Sequence, residues 1–176
     1  VEMPYARHTT RHIFNIKVDY DVDSIKEVLK TEWNPYTDAP IKNSPEHRAV
    51  NRRIINTHPS RVQALLRIHS VSEKLIVFYN FDFELQLLRD GFSGITNLAE
   101  YNGHKHEAVP SGSNWVYLVQ YMAGNEAWEC ITTNHLAMYS LNYSYRTTVQ
   151  SMGRIDRMVT PFKDLFYYKL ISDSTL

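Results

Sequence analysis

The chain has 176 residues and a mass of 20.6 kDa, a length typical of a single domain. Hydrophobic residues make up 43% and charged residues 22%, which excludes a disordered or fibrous protein. No run of about 18 apolar residues occurs, and the first residues lack a secretory signal pattern, so we expect no membrane contact. The single cysteine, Cys130, excludes a disulfide framework and a cysteine-rich zinc site. We therefore expect a reduced, cytoplasmic protein.

The charges balance in total but not along the chain. Lysine and arginine total 19, as do aspartate and glutamate, which excludes the overall basic field common in nucleic-acid-binding proteins. The segment from Glu46 to Arg67 contains five arginines and one acidic residue, a glutamate. From Glu73 to Glu107, acidic residues outnumber basic ones. This bias indicates either a solvated helix surface, which is the commoner case, or a basic face.

The first third of the chain predicts one strand and three helices. Alternating apolar residues at 11–20 indicate a strand, and Asp21 opens a run of capping side chains for a helix. Residues 33–40 contain two prolines and three turn formers, which predict a loop. The Ser-Pro pair at 44–45 predicts a second helix with a hydroxyl cap and a proline at its first position. A break at 57–60 opens the third helix.

From residue 75 onward, strand patterns alternate with helical segments. Continuous apolar runs predict strands that are covered on both faces. These runs are 75–79, 115–119, 136–139 and 166–171. A helix is predicted from about Asp82 to Arg89. The alternation is typical of an α/β protein with a mostly parallel sheet, whose working groups lie at the carboxyl ends of the strands.

A glutamine and two arginines follow the third predicted strand. Gln150, Arg154 and Arg157 are spaced four and three residues apart, so on a helix they would share one face. Such a face suits phosphate oxygens, because each guanidinium is planar and keeps its charge at physiological pH. A surface helix with ordinary salt bridges, for example to Asp156, fits the same spacing.

Three segments carry a resemblance to a known family. The run Gln150-x-x-Gly153-Arg154-x-x-Arg157 resembles motif VI of superfamily 2 helicases of the DEAD/DEAH-like type. The segment 124–128 resembles motif V of these helicases, and the predicted strand at 75–79 lies where motif IV should be. Their order and spacing agree with the family. Residues 155–157 followed by 160–164 resemble the helicases of bacteriophages.

The resemblance implies the second, C-terminal RecA-like lobe of a helicase. This lobe is an α/β three-layer sandwich with a mostly parallel central sheet flanked by helices. We expect one such domain over 1–176, with 1–73 as lead-in strand and helices and 74–176 carrying motifs IV to VI.

Two motifs of the first helicase lobe do not occur in the sequence. It contains neither Gly-x-x-x-x-Gly-Lys-Ser/Thr, the phosphate-cradling Walker A loop, nor an Asp-Glu-x-His run that would bind magnesium. The resemblance implies that the N-terminal RecA-like lobe of the same protein supplies both motifs and holds most of the ATP and Mg²⁺. We therefore expect this chain to be half of a motor.

The resemblance also assigns roles in the nucleotide site. It implies that Arg157 is an arginine finger for the γ-phosphate, that Arg154 holds the phosphates, and that Gln150 orients the pair. The other implied nucleotide-binding residues are Gly153, Gly124 and Glu126, and the last of these would meet the ribose or bridge to the opposite lobe. Ala127 stands where glycine is usual and adopts positive φ less readily.

The family grips nucleic acid mainly through its phosphate backbone, without reading the sequence. The resemblance therefore implies DNA, single- or double-stranded, as a partner. The candidate contact residues are Asn80, Tyr121, Asn142 and Tyr143. Tyr143 and Tyr145 are suited to stack on bases. Packing around the motif VI helix is the alternative for these two rings.

Two further features predict no chemistry. His104, His106 and Glu107 stand close together, but no further ligand with suitable spacing lies nearby, so we predict a loop and no metal site. Cys130 follows an apolar segment and is predicted to be a small core residue. A nucleophile paired with His135 is the less favoured reading of this cysteine.

Two functional classes fit the sequence. The first is the second motor lobe of an ATP-dependent DNA helicase or translocase in phage DNA replication or recombination. The second is a non-catalytic RecA-like module that binds nucleic acid or a partner protein. The joint presence of Gln150, Glu126 and the two motif VI arginines favours the first, because a degenerate module has no need for arginines aimed at a phosphate.

The chain by itself should bind ATP weakly or not at all, because it has no Walker A loop. Isothermal titration calorimetry of the isolated chain with Mg²⁺ and ATP measures this directly. Nucleotide binding at micromolar concentration would contradict the half-site assignment.

Overall fold

A computed structural model describes residues 8–123 and 128–173 of the chain. The strands in these ranges are β1 (Thr10–Lys17), β2 (Trp33–Asn34), β3 (Ala39–Pro40), β4 (Lys74–Tyr79), β5 (Leu98–Tyr101), β6 (Trp115–Gln120), β7 (His135–Met138) and β8 (Asp164–Ile171). The helices are α1 (Val22–Thr31), α2 (Ser44–Asn56), α3 (Ser60–Ser72), α4 (Asp82–Gly91) and α5 (Tyr145–Met152). No helix within these ranges combines the length and the apolar character that a membrane crossing requires.

Six strands form one parallel sheet in the order β1-β8-β7-β4-β6-β5. The predicted α/β class with a mostly parallel sheet is therefore confirmed. Because the strands are parallel, their carboxyl ends meet at one edge, which we call the carboxyl edge. Asn80, Tyr121 and Tyr139 follow β4, β6 and β7 at this edge.

The central strand β4 is covered on both faces, as its apolar run predicts. Residues 75–79 have no exposed surface. The odd-numbered residues of this run pack with Leu65 of α3 and Leu88 of α4. The even-numbered residues pack with Met152 of α5 and with Ile155 beyond it. Helices thus flank the sheet on both faces, and each fully buried aliphatic side chain stabilises the fold by roughly 1.5–3 kcal/mol.

The helices of the first third begin close to their predicted caps. Asp21 caps α1 by accepting a hydrogen bond from the Ser24 backbone N–H at 3.0 Å. The cap of α2 lies one residue earlier than predicted, because the extended Asn43 accepts the Glu46 N–H at 2.9 Å. Asparagine caps helices as well as serine does, so Ser44 becomes the first helical residue.

Two strand features lie outside the sequence predictions. The two-residue strands β2 and β3 form a small antiparallel pair inside the predicted loop at 33–40. The four-residue strand β5 pairs with β6 at the edge of the main sheet. Runs this short carry almost no periodic signal, and their strand structure depends on the neighbouring strand.

The packing of α4 on α3 depends on a glycine. A Cβ at Gly91 would clash with Cγ1 of Val62, whereas a Cβ at Gly94 would meet no atom within 4 Å. Valine in a helix has one strongly preferred rotamer, so Val62 cannot easily move away.

We expect Gly91→Ala to lower the free energy of unfolding by about 1–3 kcal/mol through overpacking. Gly94→Ala serves as the matched control and should change it by less than about 0.5 kcal/mol. Urea denaturation measures both variants. Adding Val62→Ala to Gly91→Ala should remove the clash, and a purely additive double variant would contradict this explanation.

Candidate functional site

A buried carboxylate organises the carboxyl edge. Glu84 of α4 is fully buried and accepts hydrogen bonds from the backbone N–H groups of Asn80 at 2.8 Å and Phe81 at 3.3 Å. It also accepts the Ser140 hydroxyl at 2.9 Å and the Asn56 amide at 2.9 Å. Glu84 thereby connects the start of α4 to the loop after β7 and to the end of α2.

Asn80 and Asn142 extend this network towards α5. The Asn80 amide donates to the Ser140 hydroxyl at 2.8 Å and accepts from Asn142 Nδ2 at 2.9 Å. Asn142 Oδ1 in turn accepts the Ser144 backbone N–H at 2.9 Å, and Ser144 caps α5. The two predicted contact residues therefore lie together, and their side chains fix the course of the β7–α5 loop.

The tyrosines at this edge differ in exposure. Tyr121 is 1% exposed, and its hydroxyl donates to the Ser140 carbonyl at 3.0 Å. The Tyr121 ring therefore belongs to the core, a position that does not favour the predicted contact with nucleic acid. Tyr143 and Tyr145 are 87% and 84% exposed, so neither ring packs around the motif VI helix as the alternative expected.

An arginine from α2 reaches across to the exposed ring of Tyr143. The Arg52 guanidinium lies 4.4 Å from the Tyr143 ring centroid and 4.7 Å from that of Phe81. It also donates to the Leu141 carbonyl at 3.1 Å. Arg52 therefore ties the β7–α5 loop to α2 by cation–π contacts and a hydrogen bond.

The motif VI residues do not share one helical face. Helix α5 ends at Met152, with Gly153 as its C-cap. Glycine is a poor helix former, so the chain turns there, and Arg154 and Arg157 lie beyond the helix. Gln150 is exposed on the last turn of α5. The expectation of a common helical face is wrong, although all four residues stay within one short stretch.

Arg154 is held against the segment that follows motif V. Its Nη1 donates to the Trp128 carbonyl at 2.9 Å, and its guanidinium lies 5.4 Å from the Trp128 ring. The Arg154 carbonyl accepts the Cys130 N–H at 2.9 Å. Burial lowers the pKa of Arg154, and the nearby charge of Arg157 acts in the same direction. The side chain is therefore positioned by its surroundings.

Arg157 is exposed and forms an ion pair at the surface. Its Nε lies 2.5 Å from Glu129 Oε2, and the two side chains are 47% and 50% exposed. Exposed ion pairs contribute roughly 0–1 kcal/mol, so this contact is easily exchanged for another anion. The neighbouring Asp156 pairs with Arg11 of β1 at 2.6 Å and accepts the Thr9 hydroxyl at 2.7 Å.

Two of the predicted nucleotide-binding residues, Gly124 and Glu126, lie outside the described residues. Gly153, which is described, forms the junction between α5 and the motif VI arginines.

In the described ranges no three side chains converge as metal ligands. The ring of His106 stacks on Tyr101 instead, with 4.8 Å between centroids. Cys130 is a core residue, as predicted, with 3% exposure.

Comparison with solved structures identifies the fold. No protein-family model matches the chain, and no curated protein matches it. Among solved structures, the crystal structure of the C-terminal part of the Fun30 ATPase domain matches with a TM-score of 0.57 and 13% identity over 88% of this chain. The chain has a RecA-like fold. It spans about half the length of that solved chain, with 51% covered.

Sequence reasoning missed two buried charged residues of this edge. Glu84 stands at the third position of a helix that follows a strand, where a carboxylate can accept the backbone N–H of the N-cap residue, and this was the available signal. Arg61 is 3% exposed and donates to the Tyr139 carbonyl at 2.6 Å and the Ser172 hydroxyl at 3.2 Å. Nothing in the local sequence distinguishes it from the exposed arginines of the same stretch.

The carboxylate of Glu84 should make stability depend on pH. Burial raises its pKa above the ordinary value of 4.5, against the opposing effect of the Asn80 N–H. Because its pKa is raised, the folded chain holds the Glu84 proton more tightly than the unfolded chain does. This proton linkage stabilises the fold fully below pH 4.5, and the stabilisation is lost as pH rises through the folded pKa.

We expect Glu84→Gln to remove this dependence while leaving the chain folded. Relative to the variant, the native chain should lose up to about 1.4 kcal/mol of unfolding free energy per pH unit within that window. Urea denaturation from pH 4 to pH 8 measures the difference. Parallel stability curves for the two proteins would contradict a raised pKa.

Proposed function

We propose that this chain is the second motor lobe of an ATP-dependent DNA helicase or translocase. The observation that carries the proposal is the arrangement of the motif VI arginines: Arg154 is anchored on Trp128, while Arg157 is exposed beside it. The RecA-like fold and the similarity to part of an ATPase domain support it. The bacteriophage type rests on the resemblance of residues 155–164 alone.

In this proposal Arg157 acts as an arginine finger. Water attacks the γ-phosphate of ATP, and negative charge develops on the transferring group and its leaving oxygen. Arg157 exchanges the carboxylate of Glu129 for a phosphate oxygen, which a guanidinium also binds by a charge-assisted hydrogen bond. Arg154, already oriented, stabilises the phosphates, and Gln150 positions the pair. Arginine fingers contribute roughly 10³–10⁵ in rate.

The rest of the nucleotide site comes from other segments. Gly153 is the C-cap of α5, and both arginines lie beyond that helix. Gly124 and Glu126 of motif V are proposed to approach the nucleotide. Mg²⁺ is assigned to the first lobe, because the described residues of this chain bring no three metal ligands together. The partner in this proposal is therefore the N-terminal RecA-like lobe of the same protein.

Nucleic acid is proposed to lie along the carboxyl edge. Tyr143 offers an exposed ring for base stacking, and Asn142 lies next to it. Asn80 acts by holding Asn142 and the β7–α5 loop in place. The same exposed edge also fits a non-catalytic module that binds nucleic acid without hydrolysing ATP, which is the second candidate function.

We expect Arg157→Ala to lower DNA-stimulated ATP hydrolysis by roughly 10³-fold or more, when this chain is combined with its first lobe. The KM for ATP should change much less than kcat, because the finger acts on charge that develops in the transition state. Steady-state phosphate release with saturating single-stranded DNA measures both constants.

Arg146→Ala is the matched control, because Arg146 is an exposed arginine of α5 outside motif VI. It should keep turnover within about twofold of the native protein. Equal turnover of the Arg157→Ala and Arg146→Ala proteins would place the finger elsewhere. Absence of any ATP hydrolysis in the native combination would favour the non-catalytic module.

A further inference from the structure

A pocket of about 390 Å³ opens beside the carboxyl edge. It lies between α2, the loop after β7 and the end of β8. Its volume falls at the lower end of the range of small-molecule sites, roughly 300–1,000 Å³. It is separate from the motif VI arginines, none of which lines it.

The lining of this pocket is basic. Arg48, Arg52 and Arg61 contribute to it together with His47, and no carboxylate does so in the described part of the chain. The exposed Arg48 has no hydrogen-bond or ion-pair partner among the described residues. The buried Arg61 donates to the Tyr139 carbonyl at 2.6 Å and to the Ser172 hydroxyl at 3.2 Å, and the charge of Glu84 acts on it as well. Arg48 is therefore the arginine of the lining that is open to an anion, and its planar fork matches phosphate oxygens.

A buried amide in the lining has unused hydrogen-bonding capacity. Asn51 is 3% exposed, and its Nδ2 lies 3.1 Å from His47 Nδ1. Its Oδ1 has no hydrogen-bond partner among the described residues. A buried polar atom left unpaired costs free energy. A ligand that donates a hydrogen bond to this oxygen therefore gains affinity.

The remaining walls suit a flat ring. Ile55, Leu141 and Leu170 supply apolar surface, and Tyr143 stands at the rim. One face of the Tyr143 ring is covered by Arg52 at 4.4 Å, while the side chain stays 87% exposed. The ring is therefore held in place and can still accept a stacking partner. Phosphate binding beside base stacking is the recognition mode of single-stranded nucleic acid.

We propose that this pocket binds one nucleotide of a single-stranded nucleic acid, with its phosphate beside Arg48 and its base on Tyr143. The assignment rests on the proposed nucleic-acid contact of the carboxyl edge and adds a site that lies partly on α2, outside motifs IV to VI. It requires neither ATP nor the first lobe.

The test is fluorescence anisotropy of the 176-residue chain with a labelled oligothymidylate, without nucleotide triphosphate. Tyr143→Ala should weaken binding by roughly 5- to 150-fold, the effect of losing one stacked base. Arg48→Gln should weaken it and reduce the slope of log K against log salt by about 0.7. Both side chains are exposed, so neither variant should unfold, which thermal denaturation checks.

Matched controls lie elsewhere on the chain. Tyr36→Ala removes an exposed ring of the turn between β2 and β3, and Arg67→Gln removes an exposed arginine, both outside the pocket. Neither should change the affinity by more than about twofold. Losses in the controls equal to those in the pocket variants would overturn the assignment. Photocrosslinking of a 5-bromouracil oligonucleotide should label Tyr143, and labelling confined to other segments would also overturn it.

Competition by free deoxythymidine monophosphate distinguishes a site for a free mononucleotide from a site for one nucleotide of a strand. If it competes with the oligonucleotide at equal concentration, the pocket is a mononucleotide site and the strand assignment is wrong. Failure of the motor proposal is seen separately, in ATP hydrolysis and its dependence on Arg157. Pocket-dependent binding without ATP hydrolysis would leave this inference standing and support the non-catalytic module.

Discussion

The carboxylate of Glu84 and its donors hold together the edge on which the proposed sites depend. Removing a carboxylate from water is costly, and here two backbone N–H groups, the hydroxyl of Ser140 and the amide of Asn56 offset that cost. The donors come from the start of α4, the loop after β7 and the end of α2. One side chain therefore sets how three separate segments meet.

This arrangement gives each exposed group its position. Because Ser140 is fixed, Asn80 and Asn142 are fixed in turn, and α5 begins at a defined place. The two arginines of motif VI lie just beyond α5, and Arg154 is held there by Trp128. The exposed Tyr143 is supported from below by Arg52 of α2. Rigid support of exposed polar and aromatic groups is what a site for phosphates and bases requires.

The sequence predicts the parts of this protein that have a strong local signal. Strands β4, β6 and β8 follow from their apolar runs, although only β4 and β6 are buried almost throughout, and α1 follows from its cap. Periodicity cannot show that α5 ends before Gly153, because the spacing of Gln150, Arg154 and Arg157 fits a helix that continues through this glycine. A tyrosine after a strand does not reveal from the sequence whether its ring lies in the core, as Tyr121 does, or in solvent, as Tyr143 does. The basic pocket joins α2 to the end of β8, a proximity created only by the pairing of parallel strands.

In the proposed motor, Arg157 completes an ATP site that is shared with another lobe. The most direct measurement is a structure of this chain combined with that lobe, with Mg²⁺, ADP and aluminium fluoride as a transition-state analogue. We expect the Arg157 guanidinium to lie at hydrogen-bond distance, about 2.8 Å, from the fluoroaluminate, with its pair to Glu129 broken. A structure in which Arg157 still pairs with Glu129 while another cation contacts the analogue would contradict it.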